Sequence, residues 1–269
     1  MKWLKESELA LRAVSSSADM LEETQIEGIA IRTKGNPRDI VTEIDIALEE
    51  KIRVILSSSG HHIIGEETFK DKFADVPSSG PVWFIDPIDG TTNFISAIPY
   101  YSTCVGLVES SKFLVGAVAI PAFKEIYFTL GDEGSFRNGK ALKVGTSDLT
   151  RSLVVAGFSG SPDNAETRKK EYELFGKIND SSRGCLRLGS ASVNICNVTA
   201  GRLGAAYALS NKIWDVAGAI SVAVQAGCRV YLERKGKVNI NYVVGAPGAA
   251  DEIAEQLGKM NLAALERIN

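Results

Sequence analysis

Long apolar runs are missing from this sequence of 269 residues, and none reaches the ~20 residues that a membrane-spanning helix needs. The first six residues, Met-Lys-Trp-Leu-Lys-Glu, lack the apolar core of a signal peptide. Basic runs are missing too, and the net charge is -3, so the sequence gives little support for nucleic-acid binding. With 45% hydrophobic and 23% charged residues, the composition is typical of a soluble globular protein.

Cysteine and histidine are scarce, which limits the metal sites and nucleophiles that the chain can build. The four cysteines are widely spaced and form no Cys-x-x-Cys pair, so they predict buried free thiols and a cytoplasmic location. The two histidines, His61 and His62, are adjacent and cannot share one face of a strand. We expect both to be solvated loop residues. The sequence therefore disfavours a zinc site and a Ser-His-Asp triad.

The most informative stretch is residues 82–94, Val-Trp-Phe-Ile-Asp-Pro-Ile-Asp-Gly-Thr-Thr-Asn-Phe. Its apolar start predicts a buried strand, which then ends and delivers Asp86 and Asp89 together. Two carboxylates held close repel each other, so one must take up a proton or both must face a cation. Gly90 permits a tight turn, after which residues 91–93 can offer backbone N–H groups to an anion. The alternative is an ordinary Asp-Gly turn with both carboxylates solvated.

Two further acidic motifs favour the cation site. Ile63-Ile64-Gly65-Glu66-Glu67 is a second apolar run that ends in paired carboxylates, and Asp215 precedes an apolar segment of small residues. Carboxylates from scattered loops are typical of a site for hard divalent cations. Asp215 can also be the N-cap of a helix over 215–226. The two roles are compatible, because one carboxylate oxygen can cap while the other coordinates.

These motifs, in this order, resemble those of the inositol monophosphatase family. The resemblance covers nearly the whole chain, and it implies alternating layers of helices and sheets, an αβαβα sandwich. It also implies a Mg²⁺-dependent phosphatase, from a superfamily that is sensitive to lithium. The matching segments are Gly65-Glu66-Glu67, Asp86-Pro87-Ile88-Asp89-Gly90-Thr91-Thr92-Asn93, Trp214-Asp215-Val216-Ala217-Gly218-Ala219, residues 34–45 and Gly189-Ser190-Ala191.

The resemblance also implies metal ligands. Asp86 would bridge two Mg²⁺ ions, in a site that holds two or three. Glu66 and the carbonyl of Ile88 would complete the first position, and Asp89 and Asp215 the second. Bound Mg²⁺ would resolve the paradox of an acidic protein that holds an anionic substrate, because the ion inverts the local charge.

Catalytic and substrate-binding roles follow from the same resemblance. Thr91, oriented by Asp45, would position and help activate a water that attacks phosphorus, with Glu66 as a further catalytic residue. Asp45 also has a local alternative, a near capping box with Thr42. Lys34 would lie near the metals. The substrate contacts would come from Asp89, Gly90, Thr91, Gly189, Ser190, Ala191 and Asp215.

The predicted substrate is inositol-1-phosphate or a related sugar phosphate. Inositol-specific members of the family carry a glutamate seven positions before the Trp-Asp aspartate, where this chain has Ala208. Fructose-1,6-bisphosphatase activity, alone or in addition, is therefore an alternative, and its second phosphate would need a cation such as Lys212, Arg183 or Arg187. A 3′-phosphonucleotide phosphatase fits less well, because such relatives usually replace Thr92-Asn93. A non-catalytic metal-binding scaffold is the remaining alternative.

Hydrophobic periodicity locates the elements around these motifs. It predicts helices over 4–23, 42–57, 163–177, 190–200 and 215–226, and strands over 29–33, 82–85, 102–109, 113–120, 125–130, 152–158, 205–209 and 229–233. We expect an antiparallel meander in the first half and alternating helices and strands in the second. Residues 1–269 would form one phosphatase domain, with an α+β subdomain over about 1–145 and an α/β subdomain over 146–269. The resemblance suggests a homodimer that acts on a small phosphate ester, with no nucleic-acid or membrane partner.

Overall fold

The computed structural model describes residues 2–25, 29–33, 40–69, 76–77, 79–158 and 165–269. Lys34 lies outside the described residues, so its place near the metals stays a prediction. The α-helices are α1 (Leu4–Glu23), α2 (Glu43–Leu56), α3 (Thr91–Ile95), α4 (Ala165–Ser181), α5 (Ala191–Thr199), α6 (Ile213–Gln225) and α7 (Ala249–Lys259). The strands are β1 (Ile31–Thr33), β2 (Ile40–Thr42), β3 (His62–Gly65), β4 (Val82–Asp89), β5 (Ser102–Glu109), β6 (Lys112–Ile120), β7 (Glu125–Thr129), β8 (Ser135–Arg137), β9 (Lys140–Ala141), β10 (Val154–Gly157), β11 (Cys185–Leu186), β12 (Ala205–Lys212), β13 (Arg229–Lys235), β14 (Asn239–Gly245) and β15 (Glu266–Arg267).

Two large sheets organise these elements. The first has the strand order β3-β4-β5-β6-β7-β8-β9, and only the β3–β4 pair is parallel. The second has the order β11-β10-β12-β14-β13-β15, with parallel pairing of β10 to β11 and β12 and antiparallel pairing elsewhere. The predicted antiparallel meander over β5, β6 and β7 is confirmed.

Helices cover both faces of each sheet, because alternate residues of a strand point to opposite sides. Trp83 and Ile85 of β4 pack with residues of α1 and α2, whereas Phe84 packs in a second core with α5 and α6. The second core also includes Val155 of β10, while Val154 faces a third core with α4 and α7. The result is five alternating layers, the predicted αβαβα sandwich.

The small residues that follow Asp215 let helix α6 lie directly on the first sheet. A Cβ atom on Gly218 would lie 2.5 Å from the carbonyl oxygen of Val105. A Cβ atom on Gly106 would lie 2.4 Å from the backbone of Ala217. Side chains at these positions would push the helix away from the sheet. The close packing thus fixes α6, and with it Asp215, against β5, which pairs with the strand that carries Asp86.

The end of β4 differs from the prediction. Strand β4 continues to Asp89 instead of ending before Asp86, with the pairs Asp86↔Cys104 and Asp89↔Ser102 on either side of an irregularity. Pro87 and Ile88 on β4 therefore lie opposite the single residue Thr103 on β5, which makes a β-bulge. Pro87 lies inside this bulge, where a residue without a backbone N–H removes no ladder hydrogen bond. The bulge bends the strand between Asp86 and Asp89.

The second half is less regular than predicted. Antiparallel β14 lies between β12 and β13, and α7 follows it; the sequence prediction contained neither element. Residues 240–246 are almost wholly buried, and such an apolar run lacks the alternation that marks a half-buried strand.

The histidine prediction is wrong in part. His61 is half-buried, with Nε2 3.3 Å from Oε1 of Glu6 and its ring beside Trp3, while His62 belongs to β3. The cysteine prediction is confirmed, since the four thiols are free and buried. Among the described residues, every helix is too short or too polar to cross a membrane.

Candidate active site

Three carboxylates converge at the end of β4. The side chains of Glu66, Asp86 and Asp215 each offer an oxygen, and these oxygens all lie within 4.8 Å of one another. Glu66 directly follows β3, which is parallel to β4, so the carboxyl ends of both strands meet at the same edge. Asp215 comes from the first turn of α6. The prediction that the three acidic motifs converge is therefore confirmed.

The electrostatics of Asp86 require a cation or a proton. Asp86 is 3% exposed, and its Oδ1 atom is buried without a hydrogen-bond partner among the described residues. Burial, followed by the charges of Glu66, Asp89 and Asp215, raises the pKa of Asp86 well above its ordinary value. Burial and the charges of Glu66 and Asp89 raise the pKa of Asp215 in the same way. A hard cation would relieve this repulsion, and a donor set made only of oxygens fits Mg²⁺ better than zinc.

Asp215 is the third residue of α6 and not its N-cap, which corrects the sequence prediction. Lys212 occupies the N-cap position, and its backbone N–H donates to Oδ2 of Asp215 at 3.1 Å. The side-chain amide of Asn211 donates to the same oxygen at 3.1 Å. Both hydrogen bonds use Oδ2, so Oδ1 can take part in the carboxylate cluster. Trp214 packs against Phe69, with ring centroids 5.3 Å apart.

Asp45 performs both of its predicted structural tasks. Its Oδ2 atom accepts hydrogen bonds from the backbone N–H of Thr42 at 2.7 Å and from the hydroxyl of Thr42 at 2.6 Å, which completes a capping box on α2. Its Oδ1 atom lies 3.3 Å from the hydroxyl of Thr91, which can donate its one proton either to this oxygen or to the carbonyl of Ile88 at 2.9 Å. The start of α2 is thus tied to the turn after the bulge.

Asp89 is held by the start of helix α5. Its Oδ2 atom accepts from the hydroxyl of Ser190 at 2.7 Å, and from the N–H and the hydroxyl of Ser192 at 2.6 and 2.5 Å. Its Oδ1 atom accepts from the N–H of Ala191 at 3.2 Å. Burial raises the pKa of Asp89, and the bonds from the two serines partly offset this. Asp89 is not one of the three residues whose carboxylate oxygens lie within 4.8 Å of one another, but it lines the same cavity. Ser192 was missed by the sequence prediction, although a second serine in the first helical turn was a signal for it.

A cavity of about 210 Å³ opens over the carboxylates. Asp45, Ser190 and Ala191 lie behind its wall and do not line it. Lys212, Arg183 and Arg187 do not line it either. The cavity is lined by Ile40, Glu66, Asp86, Ile88, Asp89, Gly90, Thr91, Thr92, Gly189 and Asp215.

The turn at Gly90 and the loop at Gly189 form part of the cavity wall. Gly90 has a φ of 96°, and a Cβ atom there would lie 3.1 Å from the carbonyl oxygen of Tyr100. The side-chain amide of Asn93 donates to the carbonyls of Tyr100 and Leu188, at 2.7 and 2.9 Å, which brings Gly189 against the turn. Glycine at position 90 is therefore required both for its backbone angle and for space.

Ala208 is buried inside the second sheet, where it pairs with Gly157 of β10. A Cβ atom on Gly157 would lie 2.6 Å from that of Ala208, so the two strands pack closely at this pair. Ala208 is not among the residues that line the cavity.

Comparison with known proteins agrees with this site. The model of the inositol monophosphatase family matches residues 5–263. The chain belongs to this family. It is 36% identical over 252 residues to inositol-1-monophosphatase SuhB of Mycobacterium tuberculosis, covering 89% of this chain and 82% of the relative. The recognition made from the three motifs is confirmed, and the chain is a phosphatase of the family.

Solved structures show the same fold. The structure of SuhB from Mycobacterium tuberculosis superposes with a TM-score of 0.78 at 28% identity, covering 97% of this chain and 99% of that one. An IMPase/NADP phosphatase complexed with Mg²⁺ and phosphate superposes with a TM-score of 0.74, covering 90% and 91%. Its identity to this chain is 18%, so this second likeness shows the fold alone.

Proposed function

We propose that this phosphatase is a Mg²⁺-dependent phosphomonoesterase that hydrolyses inositol-1-phosphate or a related sugar phosphate. The observation that carries the proposal is the buried, unpartnered Oδ1 of Asp86 in a cluster with Glu66 and Asp215. Such an arrangement is unstable alone and becomes favourable around a divalent cation.

The residues that would hold the metal are those of the central motif and its neighbours. Asp86, Glu66 and the carbonyl of Ile88 would form one position, and Asp86, Asp89 and Asp215 a second. When bound, Mg²⁺ supplies positive charge that neutralises the carboxylates and polarises the phosphate ester. The side-chain donors of these positions are all carboxylate oxygens, which supports this choice of ion.

Thr91 and Asp45 would handle the attacking water. When the Thr91 hydroxyl donates its proton to Oδ1 of Asp45, its lone pairs point elsewhere and can accept a hydrogen bond from water. The capping box fixes Asp45, so this acceptor is held in place beside the Thr91 hydroxyl. This arrangement would position the water, which would donate a hydrogen bond to Oγ1 of Thr91. That hydrogen bond would make the water a better nucleophile.

The substrate would be held by the walls of the cavity. The backbone N–H groups of Gly90 and Thr91 would bind the phosphate oxygens, because both residues line the cavity beside the carboxylates. Of the further substrate contacts predicted from the sequence, we keep Asp89, Gly189 and Asp215, which line the cavity. Ser190 and Ala191 lie directly behind Asp89 and hold it in place.

Fructose-1,6-bisphosphatase activity is the second candidate. Alanine at position 208 favours it, because the chain then lacks the glutamate that the resemblance implies for the selection of inositol. The contacts of the basic side chains proposed to bind a second phosphate argue against this activity. Lys212 donates to Oδ1 of Asn239 at 2.7 Å, and Arg187 lies over the ring of Phe158. Inositol-1-phosphate therefore remains the first substrate to test.

The test is phosphate release from inositol-1-phosphate, fructose 1,6-bisphosphate and a 3′-phosphorylated adenosine nucleotide, each with Mg²⁺ and with a chelator. We expect chelator-sensitive release from at least one sugar phosphate and little from the nucleotide. Absence of release from every compound at millimolar Mg²⁺ would contradict the proposal and favour a non-catalytic scaffold.

We also propose a cytoplasmic homodimer in which residues 1–269 form one phosphatase domain. The four buried free thiols support a reducing compartment, and helix α6 of the second half packs on the first sheet. Sedimentation of the purified chain tests the dimer.

A further inference from the structure

Glu49 is a buried carboxylate that the proposed mechanism does not use. It lies in α2 one helical turn after Asp45, and it is 1% exposed. Glutamate is almost never fully buried unless its charge is paired. The partners of Glu49 therefore indicate what it does.

The carboxylate of Glu49 binds the turn that carries Glu66. Its Oε2 atom accepts a hydrogen bond from the backbone N–H of Glu67 at 2.7 Å. Its Oε1 atom accepts from the hydroxyl of Thr68 at 2.6 Å and from Nε of Arg53 at 3.1 Å. The three donors occupy both carboxylate oxygens, and two of them belong to the residues that follow Glu66.

Arg53 extends this clamp to the strand before Glu66. Its guanidinium donates to the carbonyl of Ile63 in β3 at 3.2 Å and also to the hydroxyl of Thr68. The ion pair of Arg53 and Glu49 thus contacts the chain on both sides of Glu66.

Gly65 shows how closely the clamp fits. A Cβ atom on Gly65 would lie 2.1 Å from Cδ of Glu49, so only glycine leaves space for the carboxylate. Glu66 is therefore flanked by Gly65, which Glu49 touches, and by Glu67, which Glu49 binds.

We propose that Glu49 is a positioning residue that holds Glu66 in the carboxylate cluster and thereby sets the affinity of the site for Mg²⁺. Asp45 and Glu49 are four residues apart, so they lie on one face of α2. One rigid helix then fixes two parts of the site, Thr91 through Asp45 and Glu66 through Glu49. The inference rests on the proposed Mg²⁺ site, and it adds a residue that does not touch the metal.

The test is Glu49→Gln in the full chain, with Glu50→Gln as the matched control. Glutamine keeps the size of the side chain but puts an NH₂ group where an oxygen accepted, so at least one donor of the clamp loses its acceptor. Loss of a group that orients a metal ligand typically weakens metal binding by about 10–100-fold. Glu50 is exposed on the same helix, and its substitution leaves the clamp intact.

Two measurements separate positioning from a general loss of stability. Calorimetric titration with Mg²⁺ is expected to show a Kd raised about 10–100-fold in E49Q and unchanged in E50Q. The increase in Tm on adding Mg²⁺ to chelator-treated protein is expected to shrink in E49Q, and kcat at saturating Mg²⁺ is expected to change much less than the Mg²⁺ requirement.

An E49Q protein with a lowered Tm but wild-type affinity for Mg²⁺ would overturn the inference and leave the proposed function standing. A wild-type chain that binds no Mg²⁺ would overturn both. If E49Q does not fold, Thr68→Val removes one hydroxyl of the clamp from an exposed residue, and a Kd that rises severalfold is then the expected result. An unchanged Kd in that variant contradicts the inference.

Discussion

The hydroxyl of Thr91 lies 3.3 Å from Oδ1 of Asp45, while the other oxygen of Asp45 caps the helix that carries it. One carboxylate therefore links helix α2 to the turn at the cavity. The capping box holds Asp45 in place, and in the proposed mechanism this would let Asp45 orient the Thr91 hydroxyl toward the attacking water.

Thr91→Val tests this relationship. Valine keeps the branched shape but removes the hydroxyl, so the water loses its partner and we expect kcat to fall about 10²–10⁴-fold, the usual contribution of positioned acid–base groups. Mg²⁺ affinity, measured by calorimetry, should stay near that of the wild type. A variant that retains more than half of the wild-type kcat would contradict the assigned role.

Asp86→Asn should have opposite effects on stability and on activity. In chelator the substitution removes a buried carboxylate that is surrounded by like charges, so we expect the free energy of unfolding to rise by about 1–3 kcal/mol. Turnover should be lost, and the stabilisation by Mg²⁺ should disappear with it. Urea denaturation with and without Mg²⁺ measures both effects. A metal-free variant less stable than the wild type would show that Asp86 has a favourable partner without metal.

Ser192→Ala tests the anchoring of Asp89. The hydroxyl of Ser192 donates to a buried carboxylate, and such bonds contribute about 1.5–3 kcal/mol, against about 0.5–1.5 kcal/mol for bonds between neutral groups. Ser221→Ala is the matched control, because that buried hydroxyl donates only to the carbonyl of Ala217 at 2.9 Å. Chemical denaturation in chelator should show the larger loss for S192A. Equal losses would mean that the charge of Asp89 adds nothing to the bond.

The cysteines provide a test that does not involve the site. Burial raises the pKa of Cys104 and Cys228 to about 12 and that of Cys185 to about 11, and it raises the pKa of Cys196 well above its ordinary value. A higher pKa leaves less thiolate at a given pH, and the thiolate is the reactive form. Native protein at pH 8 should therefore resist alkylation by iodoacetamide, whereas denatured protein should take up four equivalents. Rapid alkylation of the native chain would contradict the packing of the core.

The ligands of the proposed metal site could be predicted because their signals are local. Glu66 and Asp86 each follow a short apolar run in the sequence, and Asp215 precedes an apolar segment of small residues, so each motif is visible within a few residues. The capping box of Thr42 and Asp45 is local in the same sense. The order of the layers came from the resemblance to the family.

The partners of these ligands could not be predicted, because they depend on tertiary packing. Ser192 reaches Asp89 across 103 positions of sequence, and no pattern near either residue records the contact. Glu49 and Glu50 look alike in the sequence. Only the face of α2 that packs on the turn of Glu66 distinguishes the buried carboxylate from the exposed one.

The central claim is that acidic side chains from three loops hold a divalent cation. The most direct measurement is the anomalous diffraction of crystals soaked in Mn²⁺, a hard cation that can substitute for Mg²⁺. The account predicts a strong anomalous peak between the carboxylates of Glu66, Asp86 and Asp215. A fully soaked crystal without a peak at this position, or with peaks only elsewhere on the molecule, would contradict it.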